Sequence, residues 1–386
     1  MIRRWLAALL DVRWQSFLLL LVLIILLVAG LNPFNFFPKN QVSWLIDAPG
    51  VLFHRYGEVV GPSPLMNMGV AGAQGWESGV TVELWVASLN EEPYVKDLLS
   101  FYVSRRREPF AVEEWGKRLI IGGIFRDTRG HRKFQHIGID DAFAHGARRF
   151  ITFTSGPDGS RIYIDGKLRE DVPGLTLEPV NFDGTMLLGQ TASARQEWRG
   201  AFLGLALYRK EFTADEAAAS FNDWQRHDTE ACRRRAPEAA IYPFDEAGGK
   251  IVHNHGNLGA DLTIPKLHRP VDPIILAIPH KQDLEDWSDV VINLLGFIPF
   301  GILLVLYFRS RRWPIARSFL VTIASGFFLS LFIELLQVFL PSRDSSLLDV
   351  INNTLGTAMG AGLAVWMLPY LKRIATTAGR PSIVTR

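Results

Sequence analysis

The chain has almost no cysteine and almost no net charge, and both absences exclude classes of protein. Cys232 is the only cysteine among 386 residues, so an intramolecular disulfide and a cysteine-based metal cluster are excluded. The 41 basic and 39 acidic residues nearly cancel, and no basic stripe with interleaved aromatic residues occurs. This balance argues against nucleic acid as a partner. The sequence also lacks a glycine-rich phosphate loop and a nucleophile elbow.

Long apolar runs occur only near the two ends of the chain. They cover about residues 14–38, with an apolar centre at 17–31, and about residues 290–308, 318–340 and 348–371. Each run is long enough to cross a membrane, so we predict four transmembrane helices. We interpret the first as an uncleaved anchor, because the run is long and aromatic residues follow it. A cleaved signal peptide is the alternative, since residues 28–30 are small.

The distribution of basic residues predicts the orientation of these helices. The loop at residues 309–317 contains four arginines and no acid, and the tail from residue 372 onward is also basic without an acid. Positively charged loops stay on the cytoplasmic side. We therefore predict a multi-pass membrane protein. Both termini would be cytoplasmic, and the large central region would be periplasmic or extracellular.

The central region has the pattern of a β-sandwich. Residues 80–86 and 149–154 alternate polar and apolar side chains, and residues 165–166 (Asp-Gly) form a hairpin signal between strands. Only one clear helix occurs, at residues 213–226. Many short strands at near-regular spacing are typical of a sandwich.

The predicted fold class is therefore mixed, with a four-span α-helical membrane bundle and an extracytoplasmic all-β sandwich. The predicted segments are the cytoplasmic N-terminus and first helix at 1–38, the sandwich at 39–272 (core about 50–228 plus 240–265), an outer pre-membrane segment at 273–289, helices two to four at 290–373, and a basic cytoplasmic tail at 374–386.

A short phrase occurs twice in the last hundred residues. Residues 289–296 read DVVINLLG and residues 349–356 read DVINNTLG, so Asp, Val, Asn, Leu and Gly recur at the same offsets. An Asp and an Asn four residues apart share one helix face. Such groups are costly in lipid, so we expect them to face a protein interior or a watery cavity.

The predicted topology places a set of polar side chains at the outer membrane face. We hypothesise that they form a ligand site, with Glu334 as the central acceptor, Arg343 as an anion partner, and Asn293 and Asn353 as amide donors. The alternative is a structural network of helix caps and packing contacts. The candidate residues are Asp289, Asn293, Glu334, Gln337, Arg343, Asp349 and Asn353.

These segments resemble the VanZ-like family of bacterial membrane proteins. The resemblance covers about residues 286–371 and is carried by NLLGFIPFG at 293–301, ELLQ at 334–337, RDSS at 343–346 and DVINNTLG at 349–356. The family takes its name from a protein linked to teicoplanin resistance, and no reaction is securely assigned to it. The resemblance implies a role in the cell envelope, in glycopeptide resistance or in the handling of envelope polysaccharide.

The central region resembles concanavalin A-like, laminin-G-type sandwiches. The resemblance covers about residues 50–228 and is carried by VELW at 82–85, IYIDGK at 162–167 and the stretch 198–216. It implies carbohydrate binding, in some relatives through calcium. We expect no other cofactor and no metal site. Trp76, Trp115 and Trp198 are candidates for stacking on sugar rings.

A hydrolase site is not expected in the sandwich. A retaining glycosidase needs two carboxylates about 5–5.5 Å apart. The adjacent pairs Glu113-Glu114 and Asp140-Asp141 would point to opposite faces of a strand, so we interpret them as solvated loop acids.

Three functions fit the sequence, and we favour binding over catalysis. The first is a glycan-binding module coupled to a membrane site for a lipid-linked or small polar ligand. The second is a membrane enzyme acting on a lipid-linked envelope precursor, with Glu334 or Asp349 as general base. The third is a structural or adhesion protein. Membrane lipid is an expected partner of all three.

Overall fold

The computed structural model describes residues 12–65, 79–90, 92–103, 109–192, 197–236, 238–278, 287–343 and 345–378. The chain divides into two units. A helical unit joins Met1–Phe36 to Ile274–Arg386, and a sandwich unit comprises Phe37–Pro273. The described helices are α1 (Val12–Leu31), α2 (Ala214–Gln225), α3 (Thr229–Arg235), α4 (Trp287–Ser310), α5 (Ile315–Gln337) and α6 (Leu347–Ala378).

Three of the described helices are long and apolar enough to cross a membrane. They contain the candidate spans Arg13–Leu31, Ser288–Ser310 and Ile315–Gln337, in α1, α4 and α5. Helix α6 occupies the position of the fourth predicted span and has 32 residues. The fourth span stays a prediction.

The sandwich unit is built from short strands, which confirms the predicted all-β architecture. The described strands are β1 (Val42–Trp44), β2 (Val51–Phe53), β3 (Val59–Pro62), β4 (Val80–Ser88), β5 (Val95–Tyr102), β6 (Phe110–Trp115), β7 (Arg118–Arg126), β8 (Arg132–Ile139), β9 (Arg148–Gly156), β10 (Gly159–Ile164), β11 (Lys167–Pro173), β12 (Thr176–Leu177), β13 (Thr185–Leu188), β14 (Gly200–Tyr208), β15 (Ala239–Tyr242), β16 (Ile251–Val252) and β17 (Leu262–Thr263).

The strands form two antiparallel sheets. The order in the first sheet is β1-β2-β14-β4-β9-β10-β11, with β15 beside β14, and the order in the second is β12-β7-β6-β5-β13-β3-β17-β16, with β8 beside β7. Strand β4 shows why the sheets pack face to face. Val82, Leu84 and Val86 enter the core between the sheets, whereas Glu83 and Trp85 point to the other face of the first sheet.

That other face is covered by α2 and α3. Trp85, Phe150 and Tyr208 of the sheet pack with Trp224 of α2 and Cys232 of α3 in a second apolar cluster. The sequence predicts α2 but not α3, because α3 has only seven residues, with three arginines in its last turn, and therefore shows no apolar period.

Helix α2 begins with a capping box. The Thr213 hydroxyl accepts a hydrogen bond from the Glu216 N–H, and the Glu216 carboxylate accepts one from the Thr213 N–H. Two N–H groups that the helix leaves without acceptors are thereby satisfied. The cap fixes the start of the helix that covers Trp85 and Phe150.

Candidate functional site

Helices α4 and α6 lie side by side because glycines let their backbones approach. A Cβ atom added to Gly356 would overlap the carbonyl oxygen of Leu294, and one added to Gly360 would overlap the carbonyl oxygen of Ile298. The residue numbers of both partners rise by four from the first contact to the second, so the two helices run parallel. The two copies of the repeated phrase therefore lie at the same end of the bundle.

Three carboxylates from three helices lie close together at this end. Asn293 donates a hydrogen bond to the Asp349 carboxylate, and the charge of the exposed Asp289 acts on the same carboxylate. Glu334 lies within electrostatic range of Asp349 and is only 2% exposed. Its Oε2 atom accepts a hydrogen bond from the Ser346 N–H at 2.7 Å. The partner of Glu334 is thus a backbone amide.

Arg343 and Gln337 belong to the same region but bind the end of α1. Arg343 Nε donates to the Asn32 carbonyl at 3.0 Å, and its Nη2 donates to the Ala29 carbonyl at 3.2 Å. Gln337 Nε2 donates to the Gly30 carbonyl at 2.9 Å. A cation and an amide thereby satisfy carbonyl groups that a helix leaves without donors at its C-terminus.

The amides of α6 and α5 are only partly satisfied. Asn353 Nδ2 donates to the Ser330 hydroxyl at 2.9 Å, which ties α6 to α5. Asn353 Oδ1, Asn352 Nδ2 and Gln337 Oε1 are buried and have no hydrogen-bond partner among the residues that the structure describes. Unsatisfied buried polar atoms are costly and often mark a place for a bound molecule or water. Asp344 lies outside the described residues.

A short extended segment before α4 holds the Glu334 partner in place. Ala277 N–H donates to the Ser345 carbonyl at 2.8 Å, and Leu347 N–H donates to the Ala277 carbonyl at 3.1 Å, which forms a parallel bridge. The bridge fixes the backbone of Ser346 against the Glu334 carboxylate. The neighbouring Ile278 side chain is 67% exposed, which suits contact with lipid at the membrane interface.

This arrangement favours ligands that donate hydrogen bonds or carry positive charge. The carboxylates of Asp289, Glu334 and Asp349 outnumber the one nearby guanidinium, and Arg343 directs at least two of its N–H groups to α1. A hydroxyl or amine group could be held by the carboxylates, and Glu334 or Asp349 could also accept a proton from it. The geometry fits both binding and general-base chemistry.

The structure changes the interpretation of the candidate residues in the sandwich. Trp198 is completely buried and cannot stack on a sugar, whereas Trp115 is 48% exposed. Trp76 lies outside the described residues. Asp140 is an exposed turn residue, as expected. The prediction for Glu114 is wrong, because Glu114 lies on β6 with 2% exposure and accepts hydrogen bonds from Ser88, Asn90 and Trp198.

A buried acid–histidine cluster in the sandwich was not predicted from the sequence. His268 is fully buried, with Nδ1 3.1 Å from Glu58 Oε2 and Nε2 3.9 Å from Glu197 Oε1. Gln190 donates a hydrogen bond to Glu58 as well. The three titratable residues come from distant parts of the chain, so no spacing signal joins them. Among the described residues, no group of three or more His, Cys, Asp or Glu side chains is arranged to hold a metal ion.

The Glu197 carboxyl should make the stability of the sandwich depend on pH. Burial raises its pKa from 4.5 to about 7, although the charges of His268, Arg55 and Lys96 act in the opposite direction. A folded-state pKa above the unfolded value means that ionisation opposes folding. The free energy of unfolding should therefore fall by up to about 3 kcal/mol as the pH rises from about 4.5 to about 7.

Denaturant unfolding of the full-length protein, followed by tryptophan fluorescence at about pH 5 and about pH 8, measures this fall. Glu197→Gln should reduce the difference by the part that this carboxyl contributes. Glu170→Gln, which changes an exposed glutamate on β11, should preserve it. An undiminished pH dependence in Glu197→Gln would assign the effect to other groups.

Two family models match separate parts of the chain, and both predicted resemblances are confirmed. Residues 237–368 match the VanZ/LLP1 family. Residues 70–218 match a laminin-G model of the concanavalin A-like lectin/glucanases superfamily. The first match begins inside the sandwich unit, upstream of the start predicted from the motifs.

Receptor-binding domains of botulinum neurotoxins are similar to part of the chain. The binding domain of botulinum neurotoxin DC, in complex with rat synaptotagmin II, is 16% identical with a TM-score of 0.36, and the match covers 48% of this chain and 46% of that chain. The receptor-binding domain of botulinum neurotoxin type G is 17% identical with a TM-score of 0.28, covering 38% of each chain. The chain thus spans less than half of these structures. No curated protein is significantly similar to it.

The family matches agree with the architecture of the described residues. Three apolar helices and the VanZ/LLP1 match indicate a membrane protein. The two antiparallel sheets agree with the concanavalin A-like match. The chain therefore combines a VanZ-like segment with a concanavalin A-like, laminin-G-type domain.

Proposed function

We propose that this protein binds an envelope ligand at the outer face of the bacterial inner membrane. The helical unit holds hydroxyl or amine groups of a lipid-linked precursor through its carboxylates, and the sandwich recognises a glycan outside the membrane. One observation carries the proposal for the helical unit. Glu334 is almost completely buried in an apolar helix, and the same end of the helical unit contains amide atoms of Asn352, Asn353 and Gln337 that have no partner among the described residues.

The proposed topology has four membrane spans and two cytoplasmic termini. The arginines of the loop between α4 and α5 support it, because Arg309, Arg311, Arg312 and Arg317 follow each other without an acid. Helix α6 then returns from the outer face, which sets Asp349 at the same level as Asp289. In this topology the sandwich lies outside the membrane, where it meets envelope polysaccharide. Calcium binding by the sandwich is a further proposal, and a thermal shift with CaCl₂ against EDTA tests it.

Binding rather than catalysis is the function we propose, with roles in glycopeptide resistance or polysaccharide handling. A second candidate is purely structural, and specific contacts favour it. Arg343 and Gln337 donate hydrogen bonds to carbonyl groups at the end of α1, and Asn353 of α6 donates one to Ser330 of α5. Under this alternative, the polar side chains hold helices together and bind nothing. An enzyme that uses Glu334 as general base would show turnover in addition to binding.

The substitution Glu334→Gln separates these functions. We expect undecaprenyl-linked precursors or teicoplanin to raise the Tm of the full-length wild-type protein by several degrees. Glu334→Gln should lose that rise, because one carboxylate oxygen already accepts from the Ser346 N–H and glutamine would present an amide N–H in place of the other oxygen. A thermal-shift titration in detergent measures both proteins, with Glu230→Gln on the exposed face of α3 as the matched control.

Each outcome distinguishes one candidate. A ligand-induced shift that Glu334→Gln loses and Glu230→Gln keeps supports the site. If no probe shifts the wild-type protein, while Glu334→Gln changes its Tm without any ligand, the cluster is structural and the proposed binding function is wrong. Hydrolysis or transfer of a bound precursor, abolished in Glu334→Gln with binding intact, would instead establish an enzyme.

A further inference from the structure

A groove lies on the first sheet where its covering helix ends. It has a volume of about 580 Å³ and is lined by Trp85, Arg148, Asp165, Phe221, Gln225 and His227. Helix α2 stops at Gln225, and Arg148 of the sheet is exposed beside this end of the helix, whereas Trp85 at the base of the groove is only 7% exposed. The groove lies wholly within the sandwich unit and includes none of the three tryptophans that the sequence suggests for sugar stacking.

The end of α2 positions an aromatic wall in this groove. The His227 N–H donates to the Trp224 carbonyl at 3.0 Å, and the Asp228 N–H donates to the Asp223 carbonyl at 3.0 Å, while His227 has a φ of 55°. This left-handed termination turns the chain back over the sheet. It places the His227 ring 5.5 Å from the Trp85 ring, with Phe221 on the preceding turn of the helix.

The charges of the groove are unequal. Asp165 accepts hydrogen bonds from the Phe150 N–H at 2.9 Å and from Arg149 Nη1 at 3.0 Å, so its charge is already balanced. Arg148, which precedes Arg149 on β9, is exposed and forms no ion pair with any residue that the structure describes. The groove therefore presents a guanidinium that can bind a carboxylate through two parallel hydrogen bonds.

We propose that this groove is the glycan site of the sandwich and that it binds a sugar unit carrying a carboxylate, of the hexuronate type. Arg148 holds the carboxylate, Phe221 contacts the apolar face of the sugar ring, and Gln225 bonds a hydroxyl group. The inference rests on the proposed function of the sandwich as a glycan-binding domain and adds its location and the charge of its ligand.

A glycan fits the groove better than an acidic peptide. The polar side chains of the groove, such as Gln225 and Asp165, include both donors and acceptors, and they surround an aromatic surface. A sugar offers hydroxyl groups and an apolar ring face within one unit, so a single residue can use both kinds of contact. A run of acidic side chains would use only the guanidinium of Arg148.

The test measures binding of tetragalacturonate and of neutral galactotetraose to the full-length protein in detergent. Wild type should bind tetragalacturonate, and Arg148→Gln should weaken that binding about tenfold or more, because a charged hydrogen-bonded pair is lost. The control Lys133→Gln removes one positive charge from the exposed strand β8 of the other sheet and should change the affinity by less than about twofold. Gln225 is also exposed, and Gln225→Ala should weaken the binding of both sugars.

Three results would overturn the inference. If wild type binds tetragalacturonate but Arg148→Gln and Lys133→Gln lose affinity equally, the groove is not the site, although the sandwich still binds glycan. If tetra-aspartate competes as well as tetragalacturonate, the ligand is recognised by charge alone. If wild type binds neither sugar, the groove has no such ligand, and the Glu334→Gln result on the membrane site is unaffected.

Discussion

Gly360→Ala is expected to separate α4 from α6 and to destabilise the helical unit by about 3 kcal/mol. A Cβ atom at this position would overlap the Ile298 carbonyl oxygen and lie 3.0 Å from the carbonyl carbon. Both atoms are backbone, so no side chain can rotate away. The two helices must therefore move apart and lose the contacts that close packing at small residues provides. Thermal unfolding and size-exclusion chromatography in detergent measure the loss.

Gly362 provides a matched control on the same helix. A Cβ atom there meets no other atom within 4 Å, so Gly362→Ala should leave the Tm unchanged or slightly raised. The comparison separates the effect of the close backbone contact at Gly360 from the effect of alanine's higher helix propensity. Equal Tm values for the two variants would show that the backbones of α4 and α6 do not touch at Gly360.

Glu83→Leu is expected to cost the sandwich about 4 kcal/mol of unfolding free energy. Glu83 Oε2 accepts hydrogen bonds from Tyr208 Oη at 3.0 Å, Ser220 Oγ at 2.9 Å and Trp224 Nε1 at 3.0 Å. All three donors are buried, so leucine would leave them without an acceptor. The donors belong to β14 and α2, and the change should loosen the helix from the sheet. Denaturant unfolding of the full-length protein measures the difference.

Glu83→Gln should stay within about 1 kcal/mol of wild type at neutral pH. Burial raises the pKa of Glu83, because the charged form is poorly solvated there, and glutamine supplies a neutral carbonyl acceptor in its place. Glu170→Leu, on the exposed strand β11, is the control for a change of side-chain polarity and should have almost no effect. A large loss in Glu83→Gln would mean that the negative charge itself stabilises the cluster.

Much of the fold could be predicted from local patterns. Side chains that alternate in character along residues 80–86 alternate in β4 between the two apolar clusters. The predicted hairpin signal Asp165-Gly166 is the turn between β10 and β11. These features depend on neighbouring residues alone. Helix α3 was missed because seven residues are too few to show a period.

The site could be predicted only in outline. The repeated phrase correctly indicated that Asp289 and Asp349 share one end of the bundle, since α4 and α6 are parallel. The partners of Glu334 and Arg343 are backbone groups of Ser346, Ala29 and Asn32. A backbone group has no signature in the sequence, so no pattern could assign these contacts.

Glu114 illustrates the same limit in the sandwich. Its neighbour Glu113 is partly exposed, whereas Glu114 faces inward to Ser88 and Trp198. Alternation predicts that two adjacent acids point to opposite sides of a strand. It does not predict which side contains donors from β4 and from the segment before β14.

The strand order delays completion of the second sheet until about two thirds of the chain has been made. Strand β3 pairs with β13 on one side and with β17 on the other, and β2 pairs with β14. One edge of β3 therefore stays unpaired until residues 262–263 have been made. Such long-range pairing folds slowly, and open strand edges attract other chains. Cells that make this protein at a high rate would therefore need to shield the growing chain from its neighbours.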